Sequence, residues 1–262
     1  MALPLVAPKE DARRPYTIID GELWFVDTGA SRTTCDDTWV AAHDRVAETT
    51  PFRSQGEAGS VALGRVVLHN WTVGGWTFPV VPCAVRDLGT TSSLPELEDT
   101  PIAGILGANL FRSLVVDFRF AERTLLLGRE GSGEGARLRW ERGVGPRLIA
   151  DLVVDGTHIA AVVDSGADRT YLPLVTGPEL QRYEGARQGT GPAGAVTVEV
   201  VIRGVDAATI DGERVELSRY IFRAGRTGLL GMDVLGRARV VVDARRRRLR
   251  WEQGDAPPFA EP

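Results

Sequence analysis

The feature that most constrains this chain is a motif that occurs twice, each time directly after a run of apolar residues. It reads FVDTGASRTT from Phe25 to Thr34 and AVVDSGADRTY from Ala161 to Tyr171. A single carboxylate at the end of a buried strand is unfavourable, because its charge loses contact with water. Two copies in one chain therefore predict that Asp27 and Asp164 meet in the folded protein.

An Asp-Gly pair between apolar segments precedes each motif. The pairs are Asp20-Gly21 in YTIIDGELWFV and Asp155-Gly156 in ADLVVDGTHIAAVV. Asp-Gly flanked by apolar runs is a strong signal for a tight β-hairpin. Each acidic motif is therefore predicted to end the second arm of a hairpin.

The segments downstream of the motifs repeat as well. GILGANLF begins at Gly104 and GLLGMDVL begins at Gly228, and each is followed by Val-Val-Asp. Both predict an apolar strand, a glycine, a short helical turn and another hairpin. The best helix candidate elsewhere is Asp36 to Glu48, with Asp36 or Asp37 as its N-cap.

These repeats predict an all-β chain with few short helices. The expected organisation is a first lobe over residues 1–130, a glycine-rich joint over 131–146 and a second lobe over 147–262. Within the joint, ARLRW could form a short strand. Glycine-rich hairpins with tips near Gly56–Gly59 and Gly189–Gly194 are expected in the first and second lobes, respectively.

Composition narrows the function classes. The chain has 262 residues, 43% of them hydrophobic, and a net charge of −4, which argues against nucleic acid as a partner. It has no apolar run long enough for a membrane span and no secretory signal at its N-terminus, so we expect a cytoplasmic protein. We also expect a monomer. Cys35 and Cys83 are expected as free thiols, with a bridge between them left open.

The paired motif resembles that of the aspartic proteases. Asp27-Thr28-Gly29-Ala30 and Asp164-Ser165-Gly166-Ala167 carry the resemblance, each with a downstream Leu-Gly element. The alanine after glycine and the LGANL segment are more similar to retropepsins, whereas both halves lie in one chain as in pepsins. The resemblance covers about Tyr16 to Trp251. It implies two similar retropepsin- or pepsin-like β-barrel lobes related by a pseudo-twofold axis.

The chemistry of such a pair follows from its charges. Two carboxyl groups about 3 Å apart cannot both ionise, so they share one proton. The ionised group can activate a water and the protonated one can polarise a carbonyl, with no metal or other cofactor. Asp27 and Asp164 are therefore the predicted catalytic residues. The predicted supporting residues are Thr28 and Ser165, whose hydroxyls lock the two loops together, and Gly29 and Gly166, which allow close approach.

Residues just past the motif are candidates for contacting substrate. They are Ala30, Ser31, Arg32, Ala167, Asp168 and Arg169. In retropepsins the residue in the position of Asp168 helps to hold the substrate backbone, whereas Ser31 fills that position in the first half, so the resemblance implies an asymmetric cleft. Asp168 could instead be a turn carboxylate paired with an arginine. Arg32 and Arg169 could contact substrate or brace surface carboxylates.

Other polar residues are expected to be structural. Asp117 and Asp243 are predicted to be turn residues, and the run Arg245–Arg248 a solvated surface. The three histidines lack metal-like spacing, and no histidine lies near Cys35 to activate it as a nucleophile. Trp71 and Trp76 are candidates for the core.

Three functions remain open at this stage. The first is an aspartic endopeptidase of narrow specificity, acting on a peptide or protein. The second reuses the carboxyl pair for acid–base chemistry, such as a cyclisation or dehydration, on a small molecule. The third is a non-catalytic peptide-binding module. In pepsin-like proteases the residue after Asp-Thr-Gly is often Ser or Thr, whose hydroxyl can donate to the ionised carboxylate and lower its pKa. Positions 30 and 167 are alanine here, so the resemblance implies a working pH nearer neutral than that of a gastric-type enzyme.

Overall fold

The computed structural model describes most of the chain. The described residues are 2–9, 12–43, 48–56, 59–89, 97, 100–128, 135–140, 147–154, 156–173, 183–191, 194–201, 207–210, 212–217, 221–223 and 227–253.

Strands dominate the described residues, and the helices are short. Through Gly128 the elements are β1 (Ala2–Pro4), β2 (Tyr16–Ile19), β3 (Glu22–Val26), β4 (Thr34–Asp36), α1 (Asp37–Ala42), β5 (Glu48–Gly56), β6 (Gly59–Val73), β7 (Trp76–Arg86), β8 (Gly104–Leu106), α2 (Ala108–Phe111), β9 (Val115–Arg119) and β10 (Thr124–Gly128).

The remaining elements repeat much of that order. They are β11 (Ala136–Arg137), β12 (Arg139–Trp140), β13 (Leu148–Val154), β14 (Thr157–Val163), β15 (Tyr171–Pro173), β16 (Tyr183–Gly191), β17 (Gly194–Val201), β18 (Ala207–Ile210), β19 (Glu213–Glu216), β20 (Ile221–Arg223), β21 (Gly228–Leu230), α3 (Met232–Leu235), β22 (Ala238–Asp243) and β23 (Arg248–Gln253). The all-β prediction is confirmed.

Two large sheets each carry one copy of the acidic motif. The first has the strand order β2-β3-β8-β4-β7-β6-β5, and the second β19-β18-β13-β14-β21-β15-β20 with β12 beside β13. A third sheet joins strands from both parts of the chain in the order β1-β10-β9-β22-β23-β11. Strands β16 and β17 pair with each other. ARLRW thus contributes two short strands, β11 to the shared sheet and β12 to the second.

The predicted hairpins before the motifs are present. Strand β2 pairs with β3 and β13 pairs with β14, both antiparallel. Asp20 and Gly21 have φ values of 53° and 86°. This left-handed backbone matches the twist of the two strands, and it is why Asp-Gly suits the turn.

The main hydrophobic core runs through all three large sheets. In the first sheet it contains Trp24, which is 1% exposed and packs against Trp39 and Trp71 with ring centroids 5.2 and 4.9 Å away. Trp71 is therefore a core residue, and Trp76 packs against the same cluster. A smaller cluster around Tyr16 and Phe25 lies beside the first motif.

Two sequence-based expectations are wrong. The helix predicted from Asp36 to Glu48 ends at Ala42, and Glu48 already belongs to β5. Asp36 is its N-cap and accepts hydrogen bonds from the N–H groups of Thr38 and Trp39. Asp117 is not a turn residue but lies in the middle of β9.

Asp117 stays in a buried strand position because arginines surround it. Arg239 of β22 donates two hydrogen bonds to its carboxylate, at 2.9 and 2.7 Å, and Arg119 donates a third at 3.2 Å. Burial alone would raise the pKa of Asp117, but these bonds outweigh it and lower the pKa. The pair ties β9 of the first part of the chain to β22 of the second.

None of the helices in the described ranges has the length and apolar character needed to cross a bilayer.

Replacing Asp117 by Asn should lower the free energy of unfolding at pH 7 by about 1–3 kcal/mol, because a charge-assisted pair is lost. The pKa of Asp117 is depressed on folding, so its contribution is present above about pH 4 and is lost as the pH falls through the folded-state value. Denaturant titrations of the native protein and the variant at pH 7 and pH 3 measure the loss of stability and its disappearance at low pH. Glu122→Gln is the control: its exposed carboxylate pairs with Arg119, which also binds Asp117, and its replacement should change the free energy of unfolding little.

Candidate active site

Parallel strand pairing delivers both acidic residues to the ends of buried strands. Strand β3 pairs with β8 and β14 pairs with β21 in the same way. The Asp27 N–H donates to the carbonyl of Leu106 at 3.1 Å, and the Asp164 N–H donates to that of Leu230 at 3.0 Å. The repeated Leu-Gly elements thus hold the two acidic residues in matching positions.

The backbone after each aspartate turns back to hold its carboxylate. Asp27 accepts hydrogen bonds from the N–H groups of Gly29 and Ala30, at 2.8 and 2.9 Å. Asp164 accepts them from Gly166 and Ala167, at 2.9 and 3.1 Å. Each contact uses Oδ1, so the other oxygen of each carboxyl group has no part in holding the loop. A carboxyl group that is fixed through one oxygen is well placed for proton transfer.

Asp27 and Asp164 meet, and their side chains form a hydrogen bond with each other. Asp164 is 9% exposed and Asp27 is half-buried. Burial raises the pKa of Asp27, and burial followed by the nearby Asp27 charge raises that of Asp164 further. Each carboxyl group also lies against the glycine of the other loop, and two carboxyl groups this close and this buried disfavour ionising together.

The two glycines of the motif are required by this close approach. A Cβ on Gly29 would lie 2.2 Å from Cγ of Asp164, and a Cβ on Gly166 would lie 2.4 Å from Cγ of Asp27. Each glycine therefore faces the aspartate of the other loop. No larger residue fits without separating the carboxyl groups.

Thr28 and Ser165 cross between the loops. The Thr28 hydroxyl donates to the carbonyl of Val163 at 2.7 Å and accepts from the Ser165 N–H at 3.0 Å. The Ser165 hydroxyl donates to the carbonyl of Val26 at 2.8 Å and accepts from the Thr28 N–H at 3.1 Å. These four reciprocal bonds are buried and join the two loops.

A further hydrogen-bonded layer supports each loop, and sequence reasoning missed it. Thr33 donates from its hydroxyl to Asn109 at 3.0 Å, and the Gly107 N–H donates to that hydroxyl at 3.3 Å. In the second loop Thr170 donates to Asp233 at 2.8 Å and accepts from the Gly231 N–H at 3.1 Å. The available signal was the Arg-Thr repeated after each motif, together with a polar residue two positions after each Leu-Gly glycine.

Charge around the loops is unequal. Asp168 faces Arg14 of the first part of the chain at 3.7 Å, and Arg14 also donates to the carbonyl of Gly166 at 2.9 Å. The arginine beside Asp168 is therefore Arg14. Ser31, the counterpart of Asp168, is half-buried and carries no charge.

The remaining substrate-binding candidates differ in exposure. Arg32 is exposed, Ala30 and Arg169 are half-buried and Ala167 is buried. The Arg169 Nε is itself buried and has no hydrogen-bond partner among the described residues. The hairpins β5–β6 and β16–β17 close at Gly56 with Gly59 and at Gly191 with Gly194. Their tip residues, 57–58 and 192–193, lie outside the described residues.

Two other clusters are accounted for structurally. Cys35 and Cys83 are buried free thiols in contact, and that contact, with burial, raises the pKa of Cys83. Carboxyl oxygens of Asp36, Asp37 and Asp87 lie within 4.8 Å of one another, but Asp36 is occupied by capping α1 and by the Leu88 N–H. This cluster carries no metal assignment.

Comparison with known proteins adds one finding. Residues 23–110, about a third of the chain, match a family model described as Aspartyl protease. This span contains Asp27 and the first Leu-Gly element but not Asp164. No curated protein matches the chain. The match supports a protease-like function of aspartyl type.

Replacing Gly29 by Ala should disrupt the site, because the new methyl group overlaps the Asp164 carboxyl group. We expect kcat/KM for any substrate to fall about 100-fold or more and the free energy of unfolding to fall by about 1–3 kcal/mol. Gly128→Ala is the control, since a Cβ there has nothing within 4 Å. Equal behaviour of the two variants would show that the loops are not packed as tightly as described.

Proposed function

We propose that the protein is an aspartic endopeptidase of narrow specificity that hydrolyses peptide bonds with a water activated by Asp27 and Asp164. The observation that carries the proposal is the juxtaposition of the two carboxyl groups, each held on Oδ1 by backbone N–H groups of its own loop and packed against the glycine of the other loop. The match of residues 23–110 to aspartyl proteases supports the same reaction type.

The first chemical step follows from the shared proton. The ionised carboxyl takes a proton from a water, whose oxygen attacks the peptide carbonyl carbon, while the protonated carboxyl gives its proton to the carbonyl oxygen. The product is a neutral tetrahedral diol. Asp164 is the more buried residue, so its neutral form is favoured and Asp27 is assigned as the base.

The second step returns the pair to its starting state. The carboxyl that took the water proton donates it to the peptide nitrogen, the C–N bond breaks, and the leaving electron pair stays on the amine. The other carboxyl recovers a proton from the diol hydroxyl as the new acid forms. The pair again holds one proton, and no covalent intermediate is needed.

The proposed substrate is an extended peptide bound in one direction. The loop that carries Asp164 also carries Asp168, which lies beside Arg14. The loop that carries Asp27 instead carries uncharged Ser31 and exposed Arg32. A peptide amide can donate to Asp168 but finds no such carboxylate at Ser31, so the two orientations of a peptide are not equivalent. We assign the hairpins β5–β6 and β16–β17 as the covering flaps.

The proposal includes two fused halves with a pseudo-twofold relation. Its support is the matched set of contacts at Asp27 and Asp164, at Thr28 and Ser165, and at the two Leu-Gly elements. A single chain then supplies both carboxyl groups, so the proposed enzyme acts as a monomer.

Asp27→Asn and Asp164→Asn should each abolish turnover, because neither variant can hold one proton between two carboxyl groups. The fold should persist, and the Tm at pH 7.5 should equal or exceed that of the native protein, because a buried pair with raised pKa values opposes folding once it ionises. Peptide-library cleavage and thermal unfolding measure the two effects. Asp151→Asn, at an exposed carboxylate, is the control. Substantial activity in either site variant would contradict the mechanism.

Pepstatin, which mimics the tetrahedral diol, distinguishes the proposed function from the other two considered above. Inhibition of peptide cleavage supports the endopeptidase. Binding of pepstatin without cleavage of any library peptide would favour a peptide-binding module. Absence of both binding and cleavage would favour small-molecule acid–base chemistry.

The optimum for kcat/KM should lie near neutral pH, and Ala30→Ser or Ala167→Ser should shift it toward acid. The added hydroxyl can donate to the ionised carboxylate and lower the pKa of the pair. The pH profile reports the macroscopic pKa values of the pair, so the comparison is between whole curves. Ala42→Ser, at the exposed end of α1, should leave the curve unchanged. A native optimum near pH 3 would contradict the role given to the alanines.

A further inference from the structure

The layer behind the two active-site loops is built alike in both halves, except for one ionisable group. Thr33 donates from its backbone N–H and its hydroxyl to Oδ1 of Asn109, at 2.5 and 3.0 Å. Thr170 makes the same two kinds of hydrogen bond to Asp233, with the hydroxyl at 2.8 Å from Oδ1. A neutral amide and a carboxyl group therefore fill the same place.

The second polar atom of the side chain has a hydrogen-bond partner in Asn109 but none in Asp233 within the described residues. Nδ2 of Asn109 donates to the carbonyl of Pro82 at 3.2 Å. Oδ2 of Asp233 is buried and has no hydrogen-bond partner within the described residues. A buried carboxylate oxygen without a donor is unfavourable, whereas a protonated one can itself donate, as the amide does.

The charges facing Asp233 do not offset its burial. Asp168 lies on the same side and opposes ionisation, whereas Arg169 favours it. Asp168 is in turn opposite Arg14. Burial, more than any neighbour, raises the pKa of Asp233 to about 6, so that its proton is exchanged near physiological pH.

We propose that Asp233 is a positioning residue that makes the loop carrying Asp164 sensitive to protonation, so that this loop matches the Asp27 loop only when Asp233 is neutral. The first loop has no such sensitivity, because Asn109 does not titrate. The effect of Asp233 on catalysis rests on the proposed function, but its effect on the loop does not.

A continuous set of short contacts connects Asp233 to Asp164. The Thr170 hydroxyl joins Asp233 to the Gly231 N–H. The neighbouring Met232 N–H donates to the carbonyl of Ala167 at 2.8 Å, and Leu230 accepts from the Asp164 N–H. A Cβ on Gly231 would lie 2.3 Å from the carbonyl oxygen of Arg169, so this element and the loop cannot shift independently.

The direction of the stability effect follows from the raised pKa. The folded state binds the Asp233 proton more tightly than the unfolded state does, so stability falls as the pH rises from about 4 through about 6. Asn at this position imitates the neutral form at every pH. The Asp233→Asn variant should therefore gain stability over the native protein only as the pH rises.

The test measures Tm for the full chain between pH 4.5 and 7.5 in three proteins: native, Asp233→Asn and the mirror variant Asn109→Asp. The Tm advantage of Asp233→Asn over native should grow by about 5 °C across this range. The Tm of Asn109→Asp should instead fall increasingly below that of the native protein as the pH rises. A Tm difference for Asp233→Asn that stays constant across the range overturns the proposal.

Two further measurements make the result independent of folding defects and of the proposed reaction. Carboxyl ¹³C NMR of the native protein should show the Asp233 group titrating near pH 6, and a midpoint near 4 overturns the proposal. Where a cleaved peptide is in hand, kcat/KM should fall less steeply on the alkaline side of the optimum in Asp233→Asn than in the native protein. Failure to cleave any peptide would reject the endopeptidase while leaving the Tm and NMR results to decide on Asp233.

Discussion

Four hydrogen bonds between Thr28 and Ser165 are the interaction on which the site depends. Each hydroxyl donates to a strand carbonyl of the other loop and accepts an N–H from it, so neither loop can move without breaking buried bonds. Two carboxyl groups placed together would otherwise separate, because their like charges repel whenever the shared proton is lost. The crossed bonds keep Asp27 and Asp164 in contact across that change, and the two glycines remove the atoms that would hold them apart.

A second connection between the two parts of the chain lies in the shared sheet. Strands β9 and β22 pair there, and two nitrogens of Arg239 donate hydrogen bonds to the Asp117 carboxylate. A planar guanidinium on a carboxylate fixes orientation as well as distance. The loops and the sheet together hold the two motif-bearing sheets at two separate places. This arrangement suits a site that needs both carboxyl groups aligned to within a hydrogen bond.

Local patterns predicted much of this architecture. The Asp-Gly turns, the alternating strands and the repeated Leu-Gly elements depend on neighbouring residues, so the hairpins and the short α2 and α3 helices could be anticipated. The length of α1 could not, because helical spacing after Asp36 does not reveal where β5 must begin. Asp117 and Asp233 were also beyond reach, since their partners Arg239 and Thr170 lie far away in sequence and meet them only in the folded chain. The paired aspartates were predictable because the motif itself is duplicated.

Duplication alone would make the two halves equivalent. The proposed peptide substrate has a direction, so the two halves must differ to bind it in one orientation. Three differences break that equivalence. The second half has Asp168 where the first has Ser31, and Asp233 where the first has Asn109. Asp164 is also more buried than Asp27. Asp164 and Asp168 belong to the second loop, and Asp233 lies in α3 behind it. Burial and the Asp168 charge oppose ionisation of Asp233, and burial and the Asp27 charge oppose ionisation of Asp164. The neutral form is therefore favoured more strongly at Asp164 than at Asp27. In the proposed reaction this bias assigns water activation to Asp27 and carbonyl protonation to Asp164, and it aligns that choice with the side on which Asp168 can hold the peptide backbone.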